Sequence, residues 1–158
     1  MEFRDMRRFK QALDKKTCID ILTAATRGTL AVLGDGGYPY TVPMNFVYDS
    51  GKIYFHCALS GHKLDAINAC DKVSFNVLGT PEKKNPADWW YYVKSVTVFG
   101  RASVVSDGEE KVAALTKLGN KYFPDKSQVA PDIERNISRT NVLCLRIEHM
   151  TGKQVEEK

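Results

Sequence analysis

The sequence predicts a mainly β, α+β domain: a small antiparallel barrel of about six strands with flanking helices outside it. Three observations carry this expectation. Between Gly28 and Ala58 the segments TLAVLG, YPYTVPMNFVY and KIYFHCA are rich in β-branched and aromatic residues, with hairpin punctuation at DGG and DSG. Further on, KVSFNVLG, SVTVFGRASVV and NVLCLRIEHM have the same character. The strands arrive in hairpins rather than in the strand-helix alternation of a doubly wound sheet. At 158 residues the chain is one domain's worth and can bury a core without disulfide or metal. The expected organisation is a single domain, with residues 1–26 as an N-terminal segment and helix and residues 28–153 as the barrel core.

Taken in order, the basic, aromatic-interleaved opening MEFRDMRRFK reads as a segment packed through Phe3, Met6 and Phe9, in preference to a DNA-binding arm. Asp14 or Thr17 can cap a first helix, whose apolar positions Cys18, Ile19, Ile21, Leu22 and Ala25 recur with helical spacing and stop at Arg27-Gly28. Three consecutive antiparallel strands follow. Pro43, inside the second, removes a ladder donor, so that strand must be an edge or carry a bulge. A short helix from Lys63 to about Ala69 precedes a strand in which Val73, Phe75 and Val77 alternate with Ser74, Asn76 and Leu78. TPEKKNPADWWYYVK interrupts with two prolines and four adjacent aromatics. In the next strand Gly100 marks a bulge or sharp bend of the kind barrels use at corners.

Asp107 can cap a helix with an apolar stripe of Val112, Leu115 and Leu118, and Glu109 and Glu110 suit its positive N-terminal end. The polar, proline-containing stretch from Pro124 to Thr140 separates this helix from a last strand, in which Val142, Cys144 and Arg146 lie opposite Leu143, Leu145 and Ile147. The tail TGKQVEEK is polar.

Composition narrows the function classes. Cys18, Cys57, Cys70 and Cys144 show no C-x-x-C spacing, and the N-terminus has no apolar signal-peptide core, which points to reduced thiols in the cytoplasm. No apolar run approaches the roughly 20 residues a membrane helix needs. The net charge of +4 is spread among acidic neighbours and favours small anionic ligands over nucleic acid. His56, His62 and His149 are far apart in sequence and form no metal-ligand cluster with the unspaced cysteines. GDGGYPY falls in a hairpin turn and is no dinucleotide fingerprint.

The stretch HCALSGHKLDAI is the one that ordinary core packing does not explain. It runs from a strand into a helix that begins near Gly61 or His62, and a helix N-terminus presents unpaired N–H groups and partial positive charge. Ser60 adds a hydroxyl, Gly61 lets a ligand approach the backbone, and His62 and Lys63 add donors, so a phosphate monoester is the natural guest. The alternative is that Ser60 merely caps the helix and Lys63 is solvated. Pro43 bears on the choice, because an interrupted edge strand leaves backbone N–H and C=O groups beside Met44 and Asn45 free to read a flat heterocycle. A proline that only protects a sheet edge is the competing reading.

Gly28-Thr29-Leu30-Ala31, Gly37 through Phe46, Ile53 through Ala58, Gly61-His62-Lys63-Leu64-Asp65, Ser95 through Ala102, and Ile147 with Thr151-Gly152-Lys153 together resemble the pyridoxamine 5′-phosphate oxidase-related FMN-binding split-barrel family. Within it the chain is most similar to the nitroimidazole-resistance (Nim)-like branch. The resemblance implies a six-stranded antiparallel split β-barrel that forms a homodimer, with FMN in clefts between subunits. It implies that Ser60, Gly61, His62 and Lys63 hold the FMN phosphate, with His56 on the strand leading to it. The isoalloxazine edge would lie against Tyr40, Thr41, Val42, Pro43, Met44 and Asn45, and the Trp89 to Ser95 segment, with Tyr92 and Ser95, would approach from the second chain.

The function implied is that of an FMN-dependent oxidoreductase acting on a small aromatic or heterocyclic molecule, as in nitroimidazole reduction. His56 is the candidate proton-transfer group, against the reading of an ordered histidine beside the phosphate. Cys57, the next residue, should face the core. A flavin carrier without turnover, or a split barrel holding haem or the deazaflavin F420, are the alternatives. The pyridoxamine phosphate oxidase reaction itself is disfavoured, because TGKQVEEK lacks the arginine-rich segment expected to grip a second phosphate.

Overall fold

A computed structural model describes residues 3–156. Asp14 caps the first helix, α1 (Lys15–Ala24), by accepting a hydrogen bond from the Thr17 N–H at 2.7 Å. The strands are β1 (Arg27–Leu33), β2 (Pro39–Asn45), β3 (Val47–Asp49), β4 (Lys52–Cys57), β5 (Lys72–Leu78), β6 (Tyr92–Val104) and β7 (Asn141–Glu156). The helices α2 (His62–Ala69), α3 (Gly108–Tyr122) and α4 (Val129–Asn136) lie between them. All strands join one antiparallel sheet in the order β2-β1-β5-β6-β7-β4-β3.

The count is therefore seven strands where six were expected, and the reason is local. YPYTVPMNFVY does not run as one strand; it breaks at Phe46 into β2, paired with β1, and β3, paired with β4. These two strands are the opposite edges of the sheet, yet a single residue joins them. The sheet must curl until its edges meet at Phe46, without a ladder between them, which is the split barrel. Pro43 sits on β2 as the edge argument required.

The barrel interior holds Leu30, Phe46, Ile53, Phe55, Phe75, Val77, Val96, Val98, Leu143 and Leu145, all fully buried. Phe46 and Phe55 each meet the Phe75 ring edge-on, at 4.9 and 5.0 Å between centroids. Gly100 lies at a register shift in the β6/β7 ladder, and a Cβ there would run into the Arg146 carbonyl oxygen. Cys18 and Leu22 of α1 extend this core. Outside the barrel, Tyr54, Val142 and Cys144 form a second buried layer with Val105 and Ala114. This explains why β7 buries residues of both parities, 142 through 145.

Several expectations need correction. Of the expected α3 stripe Leu118 is buried and Leu115 packs on the second layer, but Val112 is 41% exposed, and Ala114 and Gly119 are buried with Leu118, because the contact face is rotated toward α4 and β4. Phe9 is exposed, so the N-terminal segment packs through Phe3, whose ring stacks on His149 at 4.5 Å. β6 begins at Tyr92, inside the segment expected to interrupt it, because Tyr92 bridges to Glu82 and pairs with Glu156. The polar stretch after Pro124 contains α4. Met1, Glu2 and the final two residues, Glu157 and Lys158, lie outside the described residues.

Two polar clusters tie α3 to the barrel. The Tyr122 hydroxyl accepts from the Phe46 N–H at 2.9 Å and lies 2.8 Å from the Phe46 carbonyl and 2.5 Å from that of Thr26, either of which can take its proton. Lys121 donates to the Ala25 carbonyl at 2.6 Å and sits 4.4 Å from the Phe46 ring centre, and burial lowers its pKa. At the other end of α3, Glu110 accepts from Lys52 at 2.8 Å and from the Tyr54 hydroxyl at 2.7 Å. These hydrogen bonds hold the Glu110 carboxyl below its ordinary pKa, and burial is the leading reason the Tyr54 phenol is pushed up to about 12.

Tyr122→Phe strands the Phe46 N–H at the barrel corner and is expected to lower stability by about 1–3 kcal/mol, read from urea midpoints. Glu110 has a depressed folded pKa, so its contribution is present above its unfolded pKa and lost as pH falls through the folded one. Glu110→Gln should therefore be less stable than the parent at pH 7, and the gap should close at acid pH; a gap that widens on acidification contradicts the cluster.

Candidate functional site

The junction after β4 is built by a backbone conformation. Gly61 has φ +136° and ψ 164°, a combination nearly restricted to glycine, and it stands as the N-cap of α2 with no side-chain cap. Ser60 therefore does not cap the helix. The Leu64 and Asp65 N–H groups both reach the Gly61 carbonyl, at 2.8 and 3.2 Å. Among the described residues those of His62 and Lys63 have no acceptor. Behind them, Leu64, Ala66 and Ile67 anchor the helix in the core.

The four residues expected to act together do not all face one way. The His62 ring stacks on Tyr40 at 4.3 Å, and its Nε2 lies 3.6 Å from the Asp35 carboxylate in the β1–β2 turn. Ser60 and Gly61 are exposed. Lys63 faces the other side, where it lines a cleft of about 460 Å³ with Met44, His56, Cys57, Ala58 and Arg139. Among the described residues, Lys63 makes no hydrogen bond or ion pair, and the His56 imidazole and Asn45 amide make no hydrogen bond. Burial pushes the Cys57 thiol pKa up, opposed by the Lys63 charge, so Cys57 is an inert wall.

On β2, Tyr40, Val42 and Met44 turn toward the core while Thr41 and Pro43 are exposed, and Asn45 is half-buried at the corner. β2 pairs only with β1, so its other edge has no sheet partner. Tyr92 and Ser95 lie elsewhere in the chain. Ser95 pairs with Leu78 and Lys153, at the end of β5 remote from α2, and the Tyr92 hydroxyl donates to Glu156 at 2.9 Å.

Arg139, Asn136, Asp132 and Thr140 line the cleft and were not anticipated. They form a relay along α4: the Asn136 amide donates to Asp132 at 2.9 Å, Arg139 Nε donates to the Asn136 side-chain oxygen at 2.9 Å, and the Thr140 hydroxyl donates to the Asn136 carbonyl. A signal existed, since Val129, Ile133 and Ile137 recur every four residues. Pro131 masked it, although a proline in the first helical turn breaks no intrahelical bond.

Among the described residues no helix is long and apolar enough to cross a membrane, and no three His, Cys, Asp or Glu side chains are grouped to hold a metal. Residues 14–154 match the family model described as Pyridoxamine 5'-phosphate oxidase. No curated protein sequence matches the chain. Three solved structures share the fold at low identity. A candidate 5-nitroimidazole antibiotic resistance protein from Bacteroides thetaiotaomicron is 22% identical with TM-score 0.77, over 92% of this chain and 87% of that one. A flavocytochrome from Azotobacter vinelandii is 22% identical with TM-score 0.76, over 94% and 71%. A FAD-binding protein from Mesorhizobium loti is 23% identical with TM-score 0.65, over 92% and 97%.

The role of Gly61 is testable by stability alone. An added Cβ would meet nothing within 4 Å, so Gly61→Ala is penalised by backbone strain and not by a clash. It should lower the unfolding free energy by about 1–3 kcal/mol. Ser60→Ala, at an exposed position with no capping bond, should stay within about 0.5 kcal/mol of the parent in the same urea titration.

Proposed function

Because the chain belongs to the pyridoxamine 5′-phosphate oxidase family, we propose that it binds FMN and acts as an oxidoreductase on a small aromatic or heterocyclic molecule. The observation that carries this reading is Lys63, a cation without a protein partner among the described residues, beside the unbonded N–H groups that open α2. That donor set suits a phosphate monoester: unbonded backbone N–H groups at the positive end of a helix, with one ammonium in the same first turn. The free edge of β2 beside it suits the polar rim of a flat ring. Solved structures with this fold include proteins described as FAD-binding and as a flavocytochrome, which supports a flavin. The likeness to a candidate 5-nitroimidazole resistance protein supports a small heterocycle as substrate.

Flavin, when bound, supplies the electron-transfer chemistry. The chain's own residues bind, orient and manage protons. Lys63 and the α2 N–H groups anchor the phosphate; His62, fixed by Tyr40 and Asp35, contributes its backbone more than its ring. His56 stands in the same cleft as the candidate proton-transfer group. Tyr92 and Ser95, remote from Lys63 in their own chain, are assigned to the cleft of a second copy in a homodimer, with the 71% exposed Trp89 beside them. Four free cysteines suit the reducing cytoplasm.

The protein as purified should show oxidised-flavin bands near roughly 375 and 450 nm and release FMN on heating. Lys63→Ala should weaken FMN binding about 10-fold to 150-fold at low salt, with a smaller loss at high salt. Unchanged affinity would move the phosphate elsewhere. A Soret band would replace flavin with haem, and flavin without turnover of any nitroaromatic or oxidase substrate would leave a carrier.

A further inference from the structure

We propose that a second cavity, set between α3, α4 and the rim of the barrel and open on one side, binds an apolar single-ring molecule. As the substrate subsite of the oxidoreductase it rests on the reading above; as a binding pocket it does not. The cavity measures about 140 Å³. Its walls are Leu115, Leu118, Phe123, Val129, Ile133 and Ile137. An apolar cavity of about 150 Å³ stays dry and admits a benzene-sized guest, whereas a polar or charged guest would lose its hydration without recovering it.

The walls are rigid where it matters. α3 and α4 touch at Gly119 and Val129 so closely that a Cβ on Gly119 would lie 2.5 Å from a Val129 methyl. The polar groups of α4 face the rim, where the Asn136 amide donates to the Asp132 carboxylate. Among the rim groups, the side chains of Asn45 and His56 make no hydrogen bond among the described residues. His56, Asp132, Asn136 and Thr140 line both this cavity and the Lys63 cleft, so the two are neighbours across a shared wall. A ring seated among the leucines and isoleucines presents its edge to His56, on the side where the anion cleft begins. The cavity thereby supplies what the cleft lacks, an apolar seat for a guest without an anionic handle.

The test uses the protein as purified, with its flavin content measured separately. Toluene should raise its melting temperature saturably, and benzylammonium, the same ring carrying a full charge, should bind at least about tenfold more weakly. Ile133→Phe, from α4, and Leu115→Phe, from α3, each place a ring in the cavity from half-buried positions. Either variant that folds, judged by its far-ultraviolet spectrum and cooperative melting, should lose the toluene response. No saturable response in the parent, a response retained in both variants, or benzylammonium binding as tightly as toluene would overturn the pocket. Toluene binding to a protein that takes up no flavin would uphold the pocket and sink the cofactor reading; flavin with no toluene response would do the reverse.

Discussion

The backbone of Phe46 belongs to neither of the two edge strands it joins, and its N–H and C=O are turned out of both ladders. Left unpaired in the buried corner, they would cost the barrel several kcal/mol in total, on the order of 1–3 for each group. The Tyr122 hydroxyl serves the N–H and lies within reach of the C=O, and it comes from the last residue of α3. Closure of the barrel and docking of α3 are therefore one event. Because α4 packs on α3, and Asn45 is the residue before the corner, the apolar cavity and the Lys63 cleft both inherit their shape from that hydroxyl.

Much of the fold was legible because the barrel is made of short-range patterns. Val73, Phe75 and Val77 alternate over one buried face, Asp14 and Asp107 announce two helices, and Pro43 excludes a central strand. What was not legible depended on contacts distant in sequence. Nothing in YPYTVPMNFVY marks Phe46 as a corner, since Tyr122 lies 76 residues away and a buried phenylalanine looks like strand core. Val112 reads as core by helical spacing, yet the side of α3 that docks is set by Tyr54, Val142 and Cys144 on strands the helix cannot foresee.

The candidate site divides in the same way. Gly61 and Lys63 follow from local chemistry, a strand running into a helix with a cation in its first turn. The outward swing of His62 toward Tyr40 and Asp35 is a tertiary outcome, because the β1–β2 turn happens to pass beside the helix start. Arg139 and Asn136 were hidden by composition: DIERNISRT is polar enough to pass for a loop, and only the four-residue spacing of Val129, Ile133 and Ile137 betrays a helix with one apolar side.

The strand order has a bearing on how the molecule is made. β7, the last strand in the chain, lies between β6 and β4, so the β3–β4 hairpin has no ladder to the rest of the sheet until residues 141–156 arrive. A nascent chain emerging from the ribosome can pair β1 with β2 and β5 with β6, but it must hold β4 open meanwhile. Assembly dominated by such distant pairings is slow and carries exposed strand edges through its intermediates. Lys52, which opens β4 beside the hairpin's turn, is the kind of charged residue that keeps an unpaired edge from joining a neighbour's.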